Sequence, residues 1–344
     1  MRRVASHRAA SQRPATMGAD GEPTRRPKSR KPKYTRFSQQ QLRALRPALT
    51  LELTAKLCLI VGTIFMALGA WTYTGVKSLH TVVKRYDDVV ECTSGFFPTE
   101  AERELKMSND GAGTTCSIEF DAETTLEKPV YVYYELSNFF QNHRAFVRDL
   151  DYFELMGSSS RSGSLCTTHT STESGGEIKP CGVQAWSYFN DSYAVALDGA
   201  AVDIDETNIS WKSDRKYRFG SYAAENLNDD AATRGGSPVS GNIDEDEHFV
   251  TWMRTAALSK FRKLWGKIDT DIPKGARVRI TIDNRYNTYK FDGTKSIVLA
   301  TNGWVGGKNL VLPALYFLDG SICIITAVVC IVMSCSKSKK YARE

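Results

Sequence analysis

The chain has 344 residues, with 45 Lys and Arg against 39 Asp and Glu, a formal charge of +6, 42% hydrophobic residues and eight cysteines. Collagen-like, coiled-coil and wholly disordered classes are excluded by that composition, and the length is enough for one large domain or two ordinary ones. A mean hydropathy of −0.34 excludes a polytopic transporter, because most of the chain has no place in lipid.

Residues 1–56 form a basic tail with 14 Lys and Arg against 3 Asp and Glu. Its first 35 residues are rich in Arg, Ser, Pro and Lys with almost no large apolar side chains, which predicts disorder. The Arg25–Lys33 cluster suits an anionic membrane leaflet and serves equally as a plain orientation signal. Phe37, Leu42, Leu45 and Leu49 suggest a short interfacial segment. Leu57 to Gly75 then runs for 19 residues without a charge. At about 1.5 Å per residue that is about 28 Å of helix, matching the hydrocarbon core of a bilayer. The 56 preceding residues argue against a cleavable signal peptide.

Residues 76–309 form the third segment, polar and Gly-rich as far as Thr125. A strand follows in which Val130, Val132, Tyr134 and Leu136 share one face. Tyr193–Leu197, Arg277–Asp283 and Ser296–Thr301 also read as strands. Phe249, Trp252, Met253, Ala256, Ala257, Phe261, Leu264 and Trp265 recur at helical spacing, with Arg254, Arg262 and Lys263 facing away, which predicts one good helix. Residues 157–176 and 229–241 read as surface loops. Leu310 to Cys335 is a second span of 26 residues with one charge, Asp319. Two placements suit that aspartate. The helix begins near Ala314 and leaves Asp319 at the membrane interface, or Asp319 meets the transmembrane helix of a partner. Residues 336–344 are a short basic tail.

Both ends are basic, whereas residues 57–335 hold 27 Lys and Arg against 35 Asp and Glu. The positive-inside rule therefore puts both termini in the cytosol and residues 76–309 in the lumen or outside. The net +6 is a sum over two compartments and no nucleic-acid signature. Cys58, Cys323, Cys330 and Cys335 fall in the spans, where they act as small apolar residues. Cys92, Cys116, Cys166 and Cys181 fall in the exoplasmic segment, with both Asn-x-Ser/Thr sequons, at Asn190 and Asn208. Four cysteines allow three pairings. The local ones, Cys92 with Cys116 and Cys166 with Cys181, are favoured, each worth roughly 3 kcal/mol in the loop-entropy model.

No catalytic constellation emerges. His7, His80, His143, His169 and His248 show no metal-ligand spacing. Gly306-Gly307-Lys308 is not a phosphate loop, since Asn302 and Asn309 stand where the motif needs Gly and Ser/Thr. Asp244–Glu247 lacks calcium-loop spacing and suits a helix N-terminus near Phe249. The chain reads as a binding or assembly subunit with no cofactor. A two-span ion-channel subunit with a cysteine-bearing ectodomain has the same topology and is the alternative.

The run Val132-Tyr133-Tyr134-Glu135-Leu136-Ser137-Asn138-Phe139-Phe140-Gln141-Asn142-His143-Arg144 resembles the signature of the cell division control protein 50 family, the β-subunits of type-IV P-type ATPases that flip phospholipids. Further similar stretches are Lys31–Thr35 with Phe37 and Gln39-Gln40, Pro180-Cys181-Gly182, and Phe189-Asn190-Asp191. Others are Ile209-Ser210-Trp211 with Ser213-Asp214, Trp252–Ala257, Phe291-x-Gly293-x-Lys295 and Trp304–Asn309. The resemblance implies an α+β membrane protein with two spans and cytosolic ends. It also implies a glycosylated, antiparallel β-sandwich ectodomain stapled by two disulfides, a pattern that the four exoplasmic cysteines and Asn190 resemble. It implies no ATP hydrolysis. The role implied is binding of a flippase α-subunit, its release from the endoplasmic reticulum towards Golgi, endosomal or plasma membrane, and support of lipid movement to the cytosolic leaflet. Asp319 departs from the small or apolar residue expected of the family, and Asn284-Arg285-Tyr286-Asn287 is a loose version of its Asn/Tyr-rich turn. Expected partner contacts are Lys31, Lys33 and Phe37 on the cytosolic side, and Tyr133, Tyr134, Asn138, Phe139 and Phe140 in the aromatic run. Trp304, Gly306, Gly307, Lys308 and Asn309 before the second span, and Asp319 within it, complete the set.

Overall fold

A computed structural model describes residues 34–42, 49–93, 114–158, 165–230 and 235–341. The expected disorder of residues 1–35, with Lys31 and Lys33, falls almost wholly outside these, as does Leu45 of the interfacial pattern. Helix α1 runs Leu51–Lys77. Thr50 starts it by accepting a hydrogen bond from Leu53 N through its hydroxyl, at 3.2 Å. Strands β1 (Thr81–Arg85), β2 (Thr114–Asp121) and β3 (Val130–Leu136) follow. Short helices α2 (Arg144–Arg148), α3 (Tyr152–Leu155) and α4 (Val183–Trp186) precede β4 (Ser192–Leu197) and β5 (Ala200–Val202). Helices α5 (Lys212–Arg218) and α6 (Glu247–Trp252) lead to β6 (Phe261–Ile268), β7 (Arg277–Asn284) and β8 (Lys295–Thr301), and α7 (Val311–Tyr341) ends the described chain.

The strands form two antiparallel sheets, in the orders β1-β8-β3-β6 and β2-β7-β4-β5. Alternation decides which faces meet: Val278, Ile280 and Ile282 of β7 are fully buried, while Arg277, Arg279 and Thr281 between them face water. In β3, Val130, Val132, Tyr134 and Leu136 are buried as their spacing predicts. Between the sheets Tyr134 stacks on Phe189, centroids 3.9 Å apart, with Trp265 at its edge. Disulfides join Cys92 to Cys116 and Cys166 to Cys181, the local pairing.

One helix expectation is corrected. The apolar stripe from Phe249 to Trp265 is two elements, because α6 stops at Trp252 and β6 begins at Phe261. Asp246 caps α6 through Phe249 N at 2.9 Å. Lys263, expected on the exposed face, ends it: the buried ammonium donates to the carbonyls of Thr251, Trp252 and Arg254 at 2.8, 2.8 and 2.6 Å. Burial pulls the Lys263 amine down to about 7. Phe261, Lys263 and Trp265 fit strand alternation as well as they fit a helix, and pairing of β6 with β3 settles the choice. The polar stretch before Thr125 also holds two strands, β1 and β2, that the pattern did not predict.

The terminal helices pack antiparallel along most of their length. Their backbones approach closely at glycines: a Cβ added at Gly62 would lie 2.9 Å from Ile324 Cγ1 and 3.1 Å from Gly320 O, and one at Gly320 would lie 3.0 Å from Met66 Sδ. Both helices are long and apolar enough to cross a membrane. The second begins at Val311, three residues before Ala314, and Asp319 lies within it.

Candidate partner interface

The sandwich joins the helix pair through a compact collar. After β8 the chain returns to α1: His80 N donates to Thr301 Oγ1 and Thr301 N to His80 O, both at 3.0 Å. Gly303 and Gly306 exchange two backbone hydrogen bonds at 2.9 Å, a turn in which Gly306 adopts φ 102°, a region glycine tolerates. That turn lays Trp304 over Trp71 of α1, centroids 4.4 Å apart, and against Gly75, where a Cβ would lie 2.7 Å from the indole nitrogen. Trp304 and Trp71 remain about 60% exposed, an aromatic pair on the flank of the helices. Asn302 Nδ2 donates to Tyr133 OH at 2.9 Å and so ties β3 to the collar. Half-buried there, the Tyr133 phenol is pushed above its ordinary range by desolvation. Gly306, Gly307, Lys308 and Asn309 are exposed, and Asn309 Oδ1 caps α7 by accepting from Val311 N at 2.8 Å.

The aromatic run divides. Tyr134 is buried in the core and presents nothing to a partner, a correction to its expected role that follows from its inward register in β3. Phe139 is half-buried among Phe146, Trp252, Phe261 and Phe291 and serves the core chiefly. Phe140 is exposed, and Asn138, at φ 56°, donates to Phe291 O at 2.6 Å from a turn that throws Phe140 outwards. Phe37 stands exposed in a turn at residues 36–40. Asp319 is exposed on α7.

Sequence reasoning missed a hollow of about 310 Å³ between α5, α6 and β6. Its rim is Trp211, under the Arg254 guanidinium at 4.4 Å, with Asp214 reaching Arg254 at 3.4 Å. Both flanking segments are motifs of the sequence, but nothing in one dimension shows that they meet. Among the described residues the one cluster of metal-ligand types is Glu154 with Cys166 and Cys181. Those thiols are joined to each other, and Glu154 accepts from Cys181 N at 2.9 Å, so the cluster is structural. Burial raises the Glu154 carboxyl above its usual range.

A disulfide-bonded antiparallel sandwich carried on two paired, membrane-length helices, with an exposed aromatic pair at the junction, defines a membrane-anchored binding module. Residues 72–340 match the family model described as the LEM3 (ligand-effect modulator 3) family / CDC50 family, and the chain belongs to that family. It is 34% identical to ALA-interacting subunit 3 of Arabidopsis thaliana over 97% of this chain and 95% of the relative. It is 31% identical to cell cycle control protein 50A of Bos taurus, over 89% of this chain and 90% of that one. A Saccharomyces cerevisiae relative, phospholipid-transporting ATPase accessory subunit CRF1, is 30% identical over 89% and 85%.

Proposed function

We propose that this chain is the non-catalytic accessory subunit of a type-IV P-type ATPase that moves phospholipids to the cytosolic leaflet. The observation that carries the reading is its end-to-end similarity to relatives named for that association, an ATPase accessory subunit and an ALA-interacting subunit. The architecture supports it. The helix pair and the collar are continuous, so one partner can be held in the membrane and at its exoplasmic loops together. Binding of this kind stabilises only the folded ATPase, and by mass action raises the fraction fit to leave the endoplasmic reticulum.

In this reading both termini are cytosolic, the sandwich is exoplasmic and glycosylated at Asn190 and Asn208, and the basic tail with Lys31, Lys33 and Phe37 lies along the anionic leaflet. Partner contacts are Tyr133, Asn138, Phe140 and the Trp304–Asn309 turn, with α7 in the bilayer. The test is purification of the tagged full-length chain in mild detergent, with co-purifying proteins identified and counted. One P-type ATPase per chain is expected. A homotrimer or homotetramer free of ATPase overturns the reading in favour of a channel.

A further inference from the structure

Asp319 is the one charged residue in the 26-residue apolar run from Leu310 to Cys335, and the packing of α7 on α1 fixes its level along the pair. Phe317 lies against Gly69 and Gly320 against Met66, so Asp319 is level with Leu68 or Ala67 of the antiparallel α1. Lys56 and Lys77 are the charges that bracket the apolar run of α1. At 1.5 Å per residue Asp319 is therefore about 15 Å from each, midway along the charge-free run of α1. That level favours the second placement, contact with a partner's transmembrane helix, over the interface.

The carboxylate also points away from its own partner helix. Phe317, Gly320 and Ile324 face α1, while Asp319 lies on the opposite flank with Leu315, Leu318 and Ile322, which are 50–55% exposed. Among the described residues it has no ion-pair or hydrogen-bond partner. A charge facing lipid at that depth is costly, and membrane proteins keep one where another group answers it. Leu315, Leu318 and Ile322 follow helical spacing and make a ridge of the kind that packs on a neighbouring helix. A second copy of this chain would bring a like charge to the same place. A lipid amine would pass that depth only in transit and would leave the ridge uncovered.

We infer that Asp319 anchors α7 to a transmembrane helix of the ATPase subunit that presents an Arg or Lys side chain at mid-membrane depth. The inference rests on the accessory-subunit reading and adds the contact and its chemistry. It identifies a charge-matched pair as a means by which this chain selects its ATPase.

The experiment compares the tagged full-length chain with D319N and D319L, measuring ATPase recovered per chain in mild detergent and protease resistance of the ectodomain. In parallel, a photo-crosslinking residue replaces Leu318 or Ile324 with Asp319 intact. Recovery should fall about tenfold in D319L, the scale of a polar contact between membrane helices, and less in D319N, with the ectodomain as resistant as wild type. Position 318 should crosslink to the ATPase and position 324 within the chain. Removing an unanswered charge from lipid can only help a helix, so D319L recovering as much ATPase as wild type overturns the inference. Crosslinking of position 318 to a second copy or to lipid alone does the same. A wild-type chain that recovers no ATPase defeats the accessory-subunit reading itself, an outcome separate from these.

Discussion

Lys295 and Asp191 meet at 2.7 Å with neither side chain exposed to solvent, and they join the two sheets. Lys295 opens β8 in one sheet, and Asp191 stands immediately before β4 in the other. Every remaining valence is answered. Tyr86 OH donates to Asp191 Oδ2 at 2.7 Å, Arg285 N and Tyr286 N donate to Oδ1, and the ammonium also donates to Asn284 Oδ1 and Tyr286 O. Burial still pulls the Lys295 amine below its ordinary range against the attraction of Asp191. Such a pair is costly to break singly. K295M keeps the volume but leaves a buried carboxylate, and is expected to destabilise the ectodomain by about 3–5 kcal/mol. Denaturant titrations followed by tryptophan fluorescence would measure it. The K295M/D191N double variant should lose less than the sum of the two singles, and strict additivity would show that the pair is not coupled.

Asp149 organises the second disulfide. Its buried carboxylate accepts from Thr167 N, Thr168 N and Val183 N at 2.5, 3.1 and 2.7 Å and from both threonine hydroxyls, residues that flank Cys166 and Cys181. Burial alone would raise this carboxyl, but the hydrogen bonds from Thr168, Val183 and Thr167 outweigh it and hold it at about 2, against an ordinary 3.8. Its contribution to stability is therefore whole above pH about 4 and lost as pH falls towards about 2. D149N should destabilise the ectodomain at neutral pH by about 1–3 kcal/mol and flatten the loss of stability between pH 4 and 2. Melting temperatures across that range would check both, and an unchanged acid slope would exclude Asp149 as its source.

The same loop yields a prediction for assembly. C166S removes a cross-link worth roughly 3 kcal/mol and frees a segment that packs closely on Gly182, where a Cβ would lie 3.2 Å from Cys166 Sγ. Less of the pair should reach post-endoplasmic-reticulum compartments, read as a smaller share of mature glycan on the chain. Unchanged glycan maturation would count against a structural role for this disulfide.

How much of this was legible in one dimension follows from the kind of signal each feature leaves. Strands β3, β4, β7 and β8 and both long helices were readable because alternation or an unbroken apolar run is a local property. Strand β6 was not, because Phe261, Lys263 and Trp265 satisfy both periods and only pairing with β3 decides. Lys263 itself read as a surface charge, and nothing local says that its ammonium would meet three carbonyls. The turn Asn284–Asn287 reads as a loose motif, yet Asn284, Arg285 and Tyr286 supply four groups to the Lys295–Asp191 centre, far along the chain from Asp191. The contact residues divided for a similar reason. The run at 132–144 is visible as a motif and alternation places Tyr134 on the inward face of β3, but the outward throw of Phe140 belongs to the turn after that strand.

The two sequons differ in setting. Asn208 is exposed at φ 54°, while Asn190 is half-buried beside the Asp191 network. Glycan transfer acts on the chain before it folds, so both are expected to be occupied. N190Q and N208Q should each remove one glycan from the endoglycosidase-sensitive mass. N190Q should also lower the melting temperature, because it disturbs the residue next to Asp191. Equal stability of the two variants would place Asn190 outside the core's influence.

The pairing of the helices gives the last prediction. Gly62 and Gly320 face each other so closely that a single added methyl group at Gly62 would sit 2.9 Å from Ile324 and 3.1 Å from the Gly320 carbonyl. A flexible side-chain tip can move aside, but a backbone carbonyl cannot, so a large residue must push the helices apart. Separation would carry Trp304 off Trp71, because the collar hangs from both helices. G62L is therefore expected to lower the melting temperature of the detergent-solubilised chain and to reduce ATPase recovery, although it leaves the outward ridge of α7 chemically intact. At Gly69 the neighbour is the Phe317 ring at 3.1 Å, a side chain with room to rotate, so G69A should be milder than G62A. If G62L and wild type melt together and recover equal ATPase, close contact between the helices is not what holds the collar in place.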